Sequence, residues 1–196
     1  MLKKQNPVGC VVMAAGNSSR FHKNKLLASL DGKALIQRAL EAVPADALRD
    51  VCVVTRYGEV RDAAARFGFR CLWNDRPELG VSYTIRLGVE ALADACEGIV
   101  FLAADQPLLR RESVSALAVA FQEHPDSIVC LSSGGVRGNP CVFPRALYPE
   151  LTALTGDTGG SSVIRRFPER VLLLDASPRE LLDADTPEAL EQMKNL

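Results

Sequence analysis

Residues 13–27 read Met-Ala-Ala-Gly-Asn-Ser-Ser-Arg-Phe-His-Lys-Asn-Lys-Leu-Leu and gather the parts that hold a polyphosphate. Ala14, Ala15 and Gly16 let the backbone turn tightly, so that successive N–H groups can form a concave nest for an anion. Asn17, Ser18 and Ser19 add short donors, while Arg20, Lys23 and Lys25 bring three cations within six positions. A guanidinium can fork across two phosphate oxygens, and a lysine supplies a point charge. Neither G-x-x-x-x-G-K-[ST] nor G-x-G-x-x-G occurs in this segment, so it is neither a Walker loop nor a dinucleotide fingerprint. The same residues also suit a solvated basic loop in which Gly16 is plain turn chemistry.

Two carboxylates could complete such a site. Residues 98–105 form an apolar run that ends on Asp105, followed by Gln106 and Pro107. An aspartate at the carboxyl end of a buried strand can hold a Mg²⁺ that bridges phosphates, and magnesium takes only one or two protein carboxylates. A turn-initiating aspartate that accepts backbone N–H bonds would look the same. Asp185 lies in Asp183-Ala184-Asp185-Thr186-Pro187-Glu188, where Asp185 or Thr186 also makes a helix N-cap with proline at the first helical position. Asn74, Gly80, Ser82 and Thr84 read as a turn entering a helix, with Ser82 as its cap. Two glycine-rich stretches follow. The first contains Gly138, Asn139 and Pro140; the second contains Gly156, Asp157 and Gly159 and opens a helix whose free N–H groups suit a phosphate. The second stretch also reads as a bare turn between helices.

These residues need a frame. Apolar, β-rich runs at 8–14, 51–55, 69–73, 99–103, 128–131, 141–143 and 171–174 alternate with stretches of helical spacing at 34–43, 60–67, 82–95, 112–123 and 161–167. That cadence predicts an α/β fold with a mostly parallel sheet covered on both faces, and therefore ligands at the carboxyl ends of the strands. The 196 residues are read as one domain, 1–196, and residues 132–140 as a functional loop within it. Lys+Arg 23 against Asp+Glu 24 gives a formal charge of −1, and the pI is about 6.2. That balance removes the electrostatic case for nucleic acid or an anionic membrane, and a mean hydropathy of +0.05 excludes disorder. No apolar run approaches the roughly 20 residues a spanning helix needs. Lys3 and Lys4 before the first apolar run imitate a signal peptide, but Pro7 and Gly9 interrupt it and it reads equally as a first strand. The six cysteines show no C-x-x-C spacing, so a cytoplasmic protein with reduced thiols is expected.

The first loop resembles the L-A-A-G-x-S-x-R-x-G-x-x-K signature of the MobA-like nucleotidyltransferases, nearest to the branch containing molybdenum cofactor cytidylyltransferase. Met13 replaces the leucine, Ser18, Arg20 and Lys25 fall in place, and His22 departs from the glycine. The resemblance implies a Rossmann-like three-layer α/β/α fold with the nucleotide held in its N-terminal part. It extends through Asn74, Gly80, Ser82 and Thr84 beside the base and ribose, and through Asp105 in an A-D-x-P match. It ends with Asp185 as the second ligand of a Mg²⁺. Arg20, Lys25 and Asp105 are the implied catalytic residues. The Ala-Ala-Gly form implies CTP, and residues 130–170 the second substrate, a molybdopterin cofactor near Gly138, Asn139, Pro140, Gly156, Asp157 and Gly159. Where the family reads G-D-x-G-A-R this chain has Gly160-Ser161-Ser162, leaving Arg165 or Arg166 to compensate. The implied reaction joins CMP to the pterin phosphate with release of pyrophosphate, and a molybdenum hydroxylase is the implied delivery partner. A sugar-phosphate acceptor, or a carrier without turnover, remains an alternative.

Overall fold

A computed structural model describes residues 6–16 and 24–194. Strands β1 (Val8–Ala14), β2 (Ser29–Leu30) and β3 (Lys33–Ala34) lead into α1 (Leu35–Glu41). There follow β4 (Asp50–Thr55), α2 (Gly58–Arg66), β5 (Arg70–Trp73), α3 (Val81–Leu92), β6 (Gly98–Ala103) and α4 (Arg111–Glu123). The chain continues through β7 (Ile128–Ser133), β8 (Val136–Pro144), α5 (Tyr148–Thr152), α6 (Gly160–Arg166), β9 (Val171–Asp175) and α7 (Pro187–Met193). Among the described residues seven strands form one sheet in the order β5-β4-β1-β6-β8-β7-β9, and β2 pairs with β3 as a separate hairpin. Strand β8 runs antiparallel to both neighbours, and the other pairs in the large sheet are parallel.

The alternation of strand side chains explains the three layers. Cys10, Val12 and Ala14 of β1 face the side covered by Ile36 and Leu40 of α1, Val60 of α2 and Leu117 and Phe121 of α4. Val11 faces the other side, where Ile85, Val89 and Leu92 of α3, Leu151 of α5 and Val163 of α6 pack. Both faces of β1 are buried, which is why its sequence is continuously apolar rather than alternating. A third, smaller cluster seats α7 through Leu190 and Met193 on Leu30, Leu35 and Ala184.

Three expectations need correcting. The segment 132–140 is largely a β-hairpin: Gly134 and Gly135 both have positive φ (56° and 78°) and form a two-residue turn, the backbone such a tight connection requires. Strand β8 consequently spans Val136–Pro144 instead of residues 141–143 alone. Ser82 is not the cap of its helix, because α3 starts at Val81 after Gly80, and the Ser82 hydroxyl donates to the Leu79 carbonyl at 3.1 Å. At α7 the structure selects Thr186, one of the two caps the sequence offers: its oxygen accepts from the Ala189 N–H at 3.1 Å.

One buried carboxylate fastens the segment before α7. Glu180, 2% exposed, accepts from the Arg110 side chain at 2.7 and 3.0 Å, from the Arg110 N–H at 3.2 Å, and from Ser113. Burial alone would raise its pKa, but the hydrogen bonds from Arg110 and Ser113 hold it below the ordinary 4.5. Its contribution to stability is therefore present above about pH 4.5 and lost as the pH falls through the lower native value. Glu180→Gln is expected to cost about 1–3 kcal/mol near neutral pH and to flatten the acid limb, read by melting curves from about pH 3 to 7. An unchanged acid limb would show that the carboxylate does not anchor this segment.

Candidate active site

The order of the strands reverses at β1 and β6: the chain proceeds outward from β1 through β4 and β5, and returns to place β6 on the other side of β1. A crevice must open at the carboxyl ends there. Gly16 follows β1, Arg56 follows β4, Asn74 follows β5 and Asp105 follows β6, and all four line one cavity of about 460 Å³. Gly80, Thr84 and Asp157 complete its wall. The turn after β1 is pinned from its neighbour: the Thr55 hydroxyl donates to the Ala14 carbonyl at 2.9 Å and the Tyr57 hydroxyl to the Gly16 carbonyl at 3.0 Å. Ala14 and Ala15 are buried beneath it.

The charged centre stands beside this turn. Lys25 opens a 3-10 turn capped by the Asn24 side chain, and its Nζ lies 2.6 Å from Asp105 Oδ2 and 3.1 Å from Asp185 Oδ1. Burial works against the charge on Lys25, yet the two carboxylates keep its pKa above the ordinary 10.5. Asp185 is brought 80 residues along the chain to Asp105 by a backbone link, the Ala184 N–H donating to the Asp105 carbonyl at 2.8 Å. Asp183, on the other side of Ala184, has an exposed edge but a crowded carboxyl. Burial first, then the Asp105 and Asp185 charges, push it up to about 6, while the Gln106 side chain opposes the rise.

Lys25, Asp105 and Asp185 thus come together, separated by 80 and 160 positions in sequence. Two oxygens from different segments already converge on one cation, the lysine ammonium, which occupies the kind of position a divalent ion takes between carboxylates. No group of three or more His, Cys, Asp or Glu side chains converges in this way among the described residues. Two carboxylates meet the requirement of Mg²⁺, which completes its shell with substrate oxygens and water. Arg20, Asn17, Ser18, Ser19 and His22 lie outside the described residues.

A smaller chamber of about 160 Å³ adjoins the first and shares Met13 and Val81 with it. Asn139, Gly159, Ser161 and Cys141 line it among apolar side chains. Gly138 borders it indirectly, its carbonyl accepting from the Cys141 thiol at 3.2 Å, and Pro140 is buried between these two residues in sequence. Asp157, read from sequence with the second substrate, lines the larger cavity instead, and the Gly156 carbonyl accepts from the Ser82 N–H at 3.2 Å. Asn74 and Thr84 are buried and joined side chain to side chain at 3.1 Å, so the wall they form is rigid. Ser82 is buried and is not part of either lining.

Sequence reasoning missed Arg56. Its guanidinium lies 5.0 Å from the Tyr57 ring centroid and donates to the Tyr57 hydroxyl at 2.9 Å, which holds a second cation at the cavity wall. Its position directly after the carboxyl end of β4 was the available signal, the same one that identified Asp105.

Sheet order and cavity together define a doubly wound α/β protein with a crevice at its switch point. Within that class the chain belongs to the MobA-like NTP transferase domain family, whose model matches residues 10–171. It is 28% identical to the purine catabolism protein PucB of Bacillus subtilis (strain 168), over 94% of each chain. It is also 28% identical to a phosphoenolpyruvate guanylyltransferase of Mycobacterium leprae (strain Br4923), over 91% of this chain and 79% of the relative. A solved nucleotidyl transferase from Methanothermobacter thermautotroptrophicus shares the fold with a TM-score of 0.81 at 24% identity, covering 97% of each chain. Nucleotidyl transfer is the reaction class of this family. No helix among the described residues is long and apolar enough to cross a membrane.

Proposed function

We propose that this chain transfers CMP from CTP to the terminal phosphate of a molybdopterin cofactor, releasing pyrophosphate. The observation that carries the transfer reading is the convergence of Asp105 and Asp185 on a single cation beside the Gly16 turn. The resemblance of the Ala-Ala-Gly loop carries the choice of CTP.

In this reading the triphosphate lies over the Gly16 turn, with Arg20 and Arg56 as its guanidinium partners. Asn74, Gly80 and Thr84 border the base and ribose, with Ser82 supporting them from behind. Asp105 and Asp185 would hold a Mg²⁺, which neutralises the charge that gathers on the phosphates. Lys25, which pairs with both carboxylates, would supply a positive charge to the phosphate oxygens beside them. The acceptor phosphate oxygen forms a bond to the α-phosphorus as the bond to the pyrophosphate oxygen breaks. No general base is required, because the attacking phosphate is already ionised, and the protein acts by positioning and charge stabilisation. The acceptor occupies the region of residues 130–170, beside Gly138, Asn139, Pro140 and Gly159, while Asp157 borders the nucleotide cavity. A cytoplasmic location and delivery to a molybdenum hydroxylase complete the proposal, and the six free thiols agree with a reducing compartment.

A relative that acts on phosphoenolpyruvate favours a second reading, in which nucleotide and acceptor differ while the transfer chemistry stays the same. Calorimetry with Mg²⁺ separates the bases. CTP is expected to bind about tenfold or more tightly than GTP. GTP binding equally well or better would overturn the cytidylyl assignment and leave nucleotidyl transfer in place.

A further inference from the structure

The sequence left the smaller chamber without the arginine that the family pattern carries at position 161, with Arg165 and Arg166 as the available substitutes. Arg166 is otherwise engaged: it pairs with Glu150 at 2.7 Å and lies 5.5 Å from the Phe167 ring centroid. A guanidinium that touches the chamber's wall, without itself lining it, comes from the β7–β8 hairpin. Arg137, opposite Ser132 in the ladder, donates from Nη1 to Ser161 Oγ at 3.4 Å. It also stands beside the thiols of Cys130 and Cys141, which face each other across the same two strands. Ser161 and Cys141 both line the chamber.

None of these partners is a carboxylate. Among the described residues no carboxylate lies within ion-pair distance of Arg137, whereas Arg38, Arg61, Arg70, Arg110, Arg111, Arg145 and Arg166 each have one. A half-buried guanidinium held by a long hydroxyl contact and two thiols keeps most of its fork of donors for a ligand. Apart from Asn139, Cys141 and Ser161 the chamber's side chains are apolar, with Phe101 and Phe143 packed edge to face at a centroid distance of 5.8 Å. We propose that Arg137 is the acceptor-specificity residue: it binds the phosphate of a phosphomonoester acceptor whose apolar or unsaturated body occupies the chamber. Phosphate matches the bidentate fork, and the Ser161 hydroxyl and Asn139 amide stand ready as further donors. Because the chamber adjoins the larger cavity through Met13 and Val81, an acceptor held there lies next to the nucleotide.

This inference rests on the transfer reading for its consequence but not for its binding. The test uses the full chain with inorganic phosphate, phosphoenolpyruvate and molybdopterin cofactor as probes, and compares wild type with Arg137→Ala and Arg137→Lys. Calorimetry is expected to show about tenfold or greater loss of affinity for at least one phosphomonoester in Arg137→Ala, with CTP affinity unchanged. Arg137→Lys, which keeps the charge and loses the fork, is expected to recover part of it. In turnover the acceptor KM should rise while the CTP KM stays constant, a split that a merely structural role would not give. Arg137 is partly exposed on a hairpin, and equal melting temperatures check that each variant is folded. Unchanged phosphomonoester affinity in Arg137→Ala, or no phosphomonoester binding by the wild type, overturns the inference. Loss of binding in Arg137→Ala together with no pyrophosphate release by the wild type sustains the anion site and counts against the transfer reading.

Discussion

Asp105→Asn is expected to reduce nucleotidyl transfer by at least about 10²-fold, the scale on which removal of a single charge-stabilising group acts. Asparagine keeps the size of the side chain and its capacity to hydrogen-bond, but removes the charge. That charge is what draws the Lys25 ammonium to 2.6 Å and what would hold a divalent cation in its place. The fold should survive, because the neighbouring link from Ala184 N–H to the Asp105 carbonyl belongs to the backbone and is unaffected. Rates with Mg²⁺, together with a melting curve, check both halves. A folded Asp105→Asn protein that turns over at the wild-type rate would remove Asp105 from the cation site.

Gly80→Ala is expected to damage both stability and nucleotide binding. The residue has φ 76° and ψ −166°, a region of backbone space open essentially to glycine alone. A Cβ there would lie 2.4 Å from the Gly156 carbonyl carbon and 2.5 Å from its oxygen, both main-chain atoms that cannot step aside cheaply. Strain and overlap together should cost about 3 kcal/mol or more. The displaced loop carries Gly156 and Asp157, so the wall of the larger cavity moves with it. Denaturant unfolding should show the loss, and calorimetry should show CTP affinity falling by about tenfold or more. Wild-type stability and affinity would mean that the turn at 80 and the loop at 156 are not coupled.

The sheet and the site were legible to different degrees. The buried strands at 8–14 and 99–103 stood out because both faces are covered, which makes their sequences continuously apolar. Asp105 stood out because a polar residue closing such a run is conspicuous. The hairpin of β7 and β8 was hidden because its Gly134-Gly135 turn and its half-polar strand also have the composition of a loop. The five-residue helix α5 is too short to show a period, whereas the start of α7 was legible from its cap and Pro187. Lys25 was legible as a cation near a phosphate site, but its place between two carboxylates was not. That geometry depends on a contact between residues 105 and 184 that no local pattern encodes. The same limit explains Arg137, whose approach to Ser161 follows from the pairing of β7 with β8 rather than from its neighbours in sequence.

The most direct test of the account is pyrophosphate release by the full chain given CTP, Mg²⁺ and molybdopterin cofactor, with labelled CMP followed into the acceptor. The account predicts pyrophosphate in equal amount to transferred CMP, dependence on the acceptor, and loss of the signal on adding a chelator. CTP binding without pyrophosphate release, across a panel of phosphomonoester and sugar-phosphate acceptors and with GTP in place of CTP, would contradict it and identify a carrier instead of a transferase.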